Sequence, residues 1–370
     1  MLTLPFILLY RGTVACLPSC TSTPTQSPLD VQLSSNRHQH GGWYTNHDCT
    51  LMLIRETFYT LMALKFCKRD VEYVAEYVLY LAKQMSAAGQ IPWKRTESWS
   101  GQVDWHYIQH NNPVVDATAQ FIIMVGWLYE FKPNIVDQLY LHTRRAHAWL
   151  QTFMQEYKFY EPLGSSWETT RLYDNGYGLT TNVLICQSIR AMELICMVQK
   201  EQTQQKRMQV LHTRVKATLQ EQLFTTQEVL PRMLGVYWNI VPEQFWRSFN
   251  QELKYPIPLL TSGPLSYPTT WDSWMYGRDD LHTTLIYPWL GFFWISLLAA
   301  RSQHDAAVTW WELYSDFHTT STLYDIYSPE LSPVQRAFLH SQRGHSLTLA
   351  MYQAASHGLV SQKYLPHQAV

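Results

Sequence analysis

Residues 112–131 read NPVVDATAQFIIMVGWLYEF. Apolar side chains occupy nearly every side of this segment, which predicts a helix buried all round. Asn112 and Pro113 are expected to open it, Asn as the cap and Pro in the first turn, where the missing N–H would be unpaired anyway. The following segment, 134–157, is built differently. Ile135, Leu139, Ala146, Trp149, Phe153 and Tyr157 fall on one stripe, the pattern of a half-exposed helix. The same alternation recurs outward from this pair. Residues 179–199 are mostly apolar and 202–223 amphipathic; 282–300 are apolar and 303–317 amphipathic. Upstream, helices are expected over 49–68 and 70–87, and a last one over 344–356. Residues 224–281 are less regular, with one or two hairpins hidden in them. Buried helices alternating with half-exposed ones describe an inner ring of helices wrapped by an outer ring. The expected fold is all-α, an (α/α)6 toroid of helical hairpins. A stack of helical repeats is the rival, but no fixed period of about 30–45 residues is found.

Composition agrees with such a core. The 370 residues include 15 Trp, 23 Tyr and 14 Phe, while charged residues reach only 15%, against roughly 25% in ordinary soluble proteins. Lys plus Arg number 28 and Asp plus Glu 29, a net charge of -1. That balance excludes a protein that grips nucleic acid by bulk charge, and the 46% hydrophobic content argues against disorder. Residues 17–42, rich in Ser, Thr, Pro, Gln and His, show no helical period. Residues 1–42 are therefore read as an irregular arm or leader, and 43–370 as one catalytic domain. The apolar run Leu2–Tyr10 lacks a basic segment before it, so a cytoplasmic location is expected, with an export leader ending near Cys16 as the alternative. No uncharged apolar run is long enough for a membrane span. The six cysteines form no CxxC pair, and Cys186 and Cys196 lie in apolar helices as small hydrophobes. His106 and His110 have i, i+4 spacing without a third ligand, so no metal is expected. No phosphate-cradling Gly-rich loop is present, so no cofactor is expected either.

The aromatic surplus gathers in loops beside single acids. Gly89-Gln90-Ile91-Pro92-Trp93 leads to Trp99, Asp104, Trp105 and His106. Ser165-Ser166-Trp167-Glu168 precedes Asp174-Asn175-Gly176-Tyr177. Trp271-Asp272-Ser273-Trp274 is followed by Asp279-Asp280-Leu281-His282 and Tyr287-Pro288-Trp289, and Asp325-Ile326-Tyr327-Ser328-Pro329 comes last. Sugars offer apolar C–H faces that stack on aromatic rings and hydroxyls that carboxylates bind. In a helical ring, ligands are expected where the loops after the inner helices converge.

In this order, these motifs resemble those of the six-hairpin glycosidase superfamily, in particular its amylo-α-1,6-glucosidase (glycogen debranching), trehalase and mannosylglycerate hydrolase types. The resemblance spans residues 43–357. His47-Asp48 stands where these families have an Arg-Asp pair opening a helix, and Gly89-Gln90-Ile91-Pro92 matches their Gly-x-Ile-Pro turn. Asp116 matches an Asp opening an inner helix, and Asn182 an Asn that starts the helix after the general acid. The Trp-Glu at 167–168 matches the stretch of the acid, and Asp325 occupies the base position, where the families have Glu. The resemblance implies hydrolysis of a neutral, α-linked glucose-type oligosaccharide with inversion, Glu168 as general acid and Asp325 as general base. Such carboxyls stand roughly 6.5–9.5 Å apart, leaving room for a water. Sugar contacts are expected from Asp48, Asp104, Asp116, Asn182, Asp280, His282 and Tyr327, with stacking from Trp93, Trp105, Trp167, Trp271 and Trp289. The alternatives are another enzyme on the same ring or a sugar-binding descendant without turnover. A sugar 2-epimerase (using His282 and His345) or an unsaturated-glucuronyl hydrolase would be such an enzyme.

Overall fold

The computed structural model describes residues 28–45, 51–66, 71–109, 112–153, 179–225, 229–253, 287–314, 323, 335–336, 339–340 and 345–360. Twelve helices lie among them: α1 Pro28–Ser35, α2 Ile54–Phe66, α3 Val71–Ala82, α4 Asp116–Trp127, α5 Pro133–Gln151, α6 Leu179–Val198, α7 Gln202–Thr225, α8 Val229–Tyr237, α9 Glu243–Leu253, α10 Pro288–Ala300, α11 His304–Leu313 and α12 Ser346–Val360. The even-numbered helices form a closed ring, α2 on α4, α4 on α6, α6 on α8, α8 on α10, α10 on α12, and α12 back on α2. The odd-numbered helices wrap it. The expected (α/α)6 toroid is the observed fold.

Burial follows the sequence pattern. Every residue of α4 and α10 is buried, whereas α5 buries only Val136, Leu139, Thr143, Ala146, His147, Trp149 and Leu150. Inner helices approach closely where side chains are small. A Cβ on Gly126 of α4 would come within 2.6 Å of the Ala191 Cβ on α6, and one on Gly291 of α10 would collide with the Tyr314 ring. Large rings fill the remaining space, with Phe58 stacked on Trp127 at 5.2 Å and Trp246 of α9 against Trp294 of α10 at 5.1 Å. Helix α6 is long and apolar enough to cross a membrane, but 83% of its apolar window is buried in the protein, so other helices already cover that surface. Cys186 and Cys196 are buried free thiols, pushed up to about 12 and about 11 by burial.

Three local readings change. Asn112-Pro113 does not start α4. Those residues pair as β5 (Asn112–Pro113) with β4 (Ile108–Gln109), and the N-cap is Val115, without a side-chain cap. The residue before a proline is disfavoured in the helical region, so Asn112 is biased toward extended backbone. Next, the Trp-rich segment after Gly89 is not plain loop: β1 (Met52–Leu53), β2 (Lys94–Glu97) and β3 (Val103–His106) form an antiparallel sheet in that order. Finally, residues 28–35 form α1 instead of an extended arm, and α1 packs on α12 as the outer helix of the sixth hairpin. The Trp43 indole donates to the Leu33 carbonyl at 3.1 Å. Asn36 Nδ2 donates to Ser346 Oγ at 3.0 Å, and Ser346 Oγ to the Tyr44 carbonyl at 2.6 Å. Two ends of the described chain thus meet at the start of α12.

The two ends of the ring differ. Inner helices pass to outer ones through short turns, residues 128–132, 199–201, 238–242 and 301–303. Most connections from outer helices into inner ones are instead long, 83–115, 152–178, 254–287 and 314–345, although only residues 226–228 separate α7 from α8. The Trp-and-acid segments therefore precede the inner helices in the chain and do not follow them.

Candidate functional site

Helix N-termini carry unpaired N–H groups and a partial positive charge, so they favour carboxylates. The inner ring brings several such termini to one end. Asp116 begins α4, buried, with its Oδ1 accepting from Ala117 N at 2.8 Å. One turn deeper on the same face of α4, Gln120 is fully buried, and its amide has no hydrogen-bond partner among the described residues. Thr180, Thr181 and Asn182 are buried in the first turn of α6. Trp289 follows Pro288 at the start of α10, buried, with its ring 6.0 Å from that of Tyr59 on α2. Asp116, Asn182 and Trp289 thus share one end of the ring.

Two charged residues, Arg55 and Glu56, stand in the first turn of α2, which is mostly apolar beyond them. Arg55 Nη2 lies 3.5 Å from Glu56 Oε1, and His345 Nε2, just before α12, lies 3.4 Å from Glu56 Oε2. Burial alone pushes the Glu56 carboxyl up, but His345 and Arg55 together outweigh it and hold the group below its ordinary range. Glu56 is therefore an ionised carboxylate joining α2 to α12 at the mouth of the ring. The helix-opening pair expected at His47-Asp48 lies outside the described residues. The signal for Arg55-Glu56 was present: adjacent charges inside an apolar run.

The sheet forms one wall of this end. Ile54 N donates to the Trp93 carbonyl at 3.0 Å, so the start of α2 is fixed to the segment that carries Trp93. The Gly89-Gln90-Ile91-Pro92 turn holds that segment. Ile91 N donates to Thr118 Oγ1 on α4 at 3.0 Å, and the Gln90 amide to the Tyr107 carbonyl at 2.6 Å. Gly89 has φ +103, and a Cβ there would sit 2.4 Å from the Arg145 carbonyl oxygen, so only glycine lets the turn lie against α5.

Strand periodicity sorts the sheet's residues. Arg95 pairs with Trp105 and Thr96 with Asp104. Trp93, Arg95 and Trp105 therefore share one face, while Asp104 lies on the other, exposed, with Gln102 Nε2 at 3.4 Å. The structure does not bring Asp104 to the face of Trp105. Trp105 sits edge-on to Tyr80 at 5.6 Å, in a cluster with Tyr44, His38 and His40 that sequence reading missed. Arg95, buried in this cluster, donates to Glu97 at 2.7 Å. His38 is driven down to about 4 by burial, with Arg95 and His40 adding to the effect.

Asp48, Trp167, Glu168, Trp271, Asp280, His282, Asp325 and Tyr327 lie outside the described residues. Their neighbours in the chain are informative. The segment with Glu168 runs from Phe153, after outer helix α5, to Leu179, the buried first residue of α6. Asp325 follows Leu323, which is fully buried, on the segment from α11 to α12. In a ring of six, α6 and α12 stand opposite each other. No group of three His, Cys, Asp or Glu side chains suited to a metal occurs among the described residues.

No family model matches the sequence, and no curated protein matches it significantly. Solved structures do. A protein described as a wild-type glycosidase superposes with TM-score 0.65 at 11% identity, over 92% of this chain and 96% of its own. The mannosylglycerate hydrolase of glycoside hydrolase family 63 from Thermus thermophilus, solved in complex with glucose, gives TM-score 0.59 at 10% identity, over 91% of this chain and 100% of its own. A rhamnosidase from Klebsiella oxytoca with rhamnose bound gives 0.58 at 11% identity, over 92% of this chain and 66% of its own. At such identities the likeness is one of fold alone: this chain shares the α/α toroid of these glycoside hydrolases.

Proposed function

We propose that the protein is a glycoside hydrolase that cleaves a neutral, α-linked glucose-type oligosaccharide with inversion, using Glu168 as general acid and Asp325 as general base. One observation carries the reading. The segments bearing these two residues lead into α6 and α12, on opposite sides of the ring, at the end that also gathers Asp116, Asn182 and Trp289. A sugar seated there would meet one carboxyl from each side. Glu168 gives its proton to the glycosidic oxygen as the C–O bond breaks. Asp325 takes a proton from water, whose oxygen forms the new bond to the anomeric carbon from the opposite face. Trp167, next to Glu168 in the sequence, would favour the protonated acid by excluding water from it. Asp116 and Asn182 bind hydroxyls, and Trp289 offers a stacking face.

Substitution separates chemistry from folding. Glu168→Gln and Asp325→Asn are each expected to lower kcat by a factor of about a hundred or more and to leave the melting temperature nearly unchanged. Full turnover in either variant would remove that residue from the mechanism. Glycan binding by the wild-type protein with no turnover at all would favour a sugar-binding descendant instead.

A further inference from the structure

A second polar site lies on the outer wall of the toroid, away from the mouth. Tyr140, Arg144, His147 and Gln151 share one face of α5, and Gln204 and Arg207 face them from α7. Between them is a cleft of about 160 Å³ floored by α6. That is room for a small anion, since a water in the liquid takes up roughly 30 Å³.

The floor is unusual. His147 is 6% exposed, and neither of its ring nitrogens has a hydrogen-bond partner among the described residues. A buried imidazole normally satisfies both, because each unmade bond costs free energy. Two guanidinium groups, Arg144 and Arg207, flank it from the two outer helices. Among the described residues the negative group nearby is Glu201, 4.0 Å from Arg144, so one positive charge is left over. Nothing in the proposed hydrolysis uses these residues.

We propose that this cleft binds a small oxyanion, a phosphate or a carboxylate, held by Arg144 and Arg207 at the rim and by the His147 N–H at the floor. Guanidinium groups match the planar oxygen pairs of both anions. The Gln151 and Gln204 amides supply further N–H donors. Burial and Arg207 keep His147 neutral, with its pKa driven down to about 4, so it meets the anion with one N–H.

The test uses the full chain at pH 7, with sodium phosphate or sodium acetate titrated at ionic strength fixed by chloride. Saturable binding is expected, accompanied by a shift of the His147 ring signals in NMR spectra. Phosphate alone would mark a phosphoryl ligand, acetate alone a carboxylate ligand, and both a general oxyanion site. Arg207→Gln and Arg144→Gln change exposed side chains, and each should weaken binding by about tenfold or more, the loss of one charge-assisted hydrogen bond. No saturable binding of either anion would overturn the proposal. So would saturation without a His147 shift, or wild-type affinity in both variants.

Discussion

Glu56 shows how one residue serves the fold at the mouth of the ring. Its carboxylate is nearly buried between Arg55 and His345, with side-chain exposures of 12% for Glu56 and 6% for His345. Removing one partner of a buried pair leaves the other charge uncompensated. Glu56→Gln should therefore lower the unfolding free energy by about 3 kcal/mol at pH 7, as read from urea denaturation; an unchanged midpoint would mean that the pair contributes nothing. Because the folded-state pKa of Glu56 lies below its ordinary value, this contribution is present at neutral pH and is lost as pH falls through the carboxylate range. Single residues were only partly legible in the sequence. Asp116 and Asn182 sit at inner-helix starts as their motifs imply, whereas Trp289, expected within a helix over 282–300, stands at the start of α10. Glu56 and His345 were not paired, since no local pattern links positions so far apart in the chain. Asp104 and Trp105, adjacent in sequence, part to opposite faces because strand side chains alternate.

Helix existence and burial followed from apolar periodicity, and boundaries did not. The inner-to-outer turns show why. Lys200, Asn239 and Ser302 have φ of 58, 52 and 59. Each turn closes with the same pair of bonds: Glu201 N to Cys196 O, Ile240 N to Gly235 O, Gln303 N to Leu298 O, and the matching N–H of the left-handed residue to Met197, Val236 or Ala299. Three hairpins thus end their inner helix with one Schellman motif. The motif was invisible in the sequence because glycine, its usual marker, is absent from all three positions. A left-handed Lys or Ser carries a steric cost that glycine avoids. Ser302→Gly should accordingly raise stability by about 0.5–1 kcal/mol, seen as a higher melting temperature; a drop would mean that the Ser302 side chain holds the turn. The β2–β3 hairpin was missed for a different reason. Its strands are four residues each, too short for alternation to stand out among many aromatics.

The ring as a whole depends on contacts between the ends of the described chain. Helix α1 and the segment through Tyr44 hold α12 in place, a closure that no local periodicity reveals. Stability of the whole molecule should also depend on its histidines. His38, His147 and His212 are all lowered to about 4, in each case first by burial. Their ordinary value is near 6.5, so unfolding takes up protons between those limits. Stability is then fully present above about pH 6.5 and falls as pH drops toward 4, with each buried histidine contributing on the order of 2 kcal/mol. Urea midpoints at pH 7.5 and pH 5 measure this; equal midpoints would contradict the burial of these rings in the neutral form. The neutral composition and the aromatic surplus that pointed to sugars belong to the same scale, and the toroid gives them a place, with short turns at one end and, leading into the open end where the inner helices begin, mostly long segments, several of which carry Trp. The claim that this open end performs inverting hydrolysis is tested most directly by following the first turnovers on α-linked glucose oligosaccharides by NMR. The account predicts that the β-anomer of the released sugar appears first and then equilibrates. Initial release of the α-anomer, or no release from any such substrate, would contradict it.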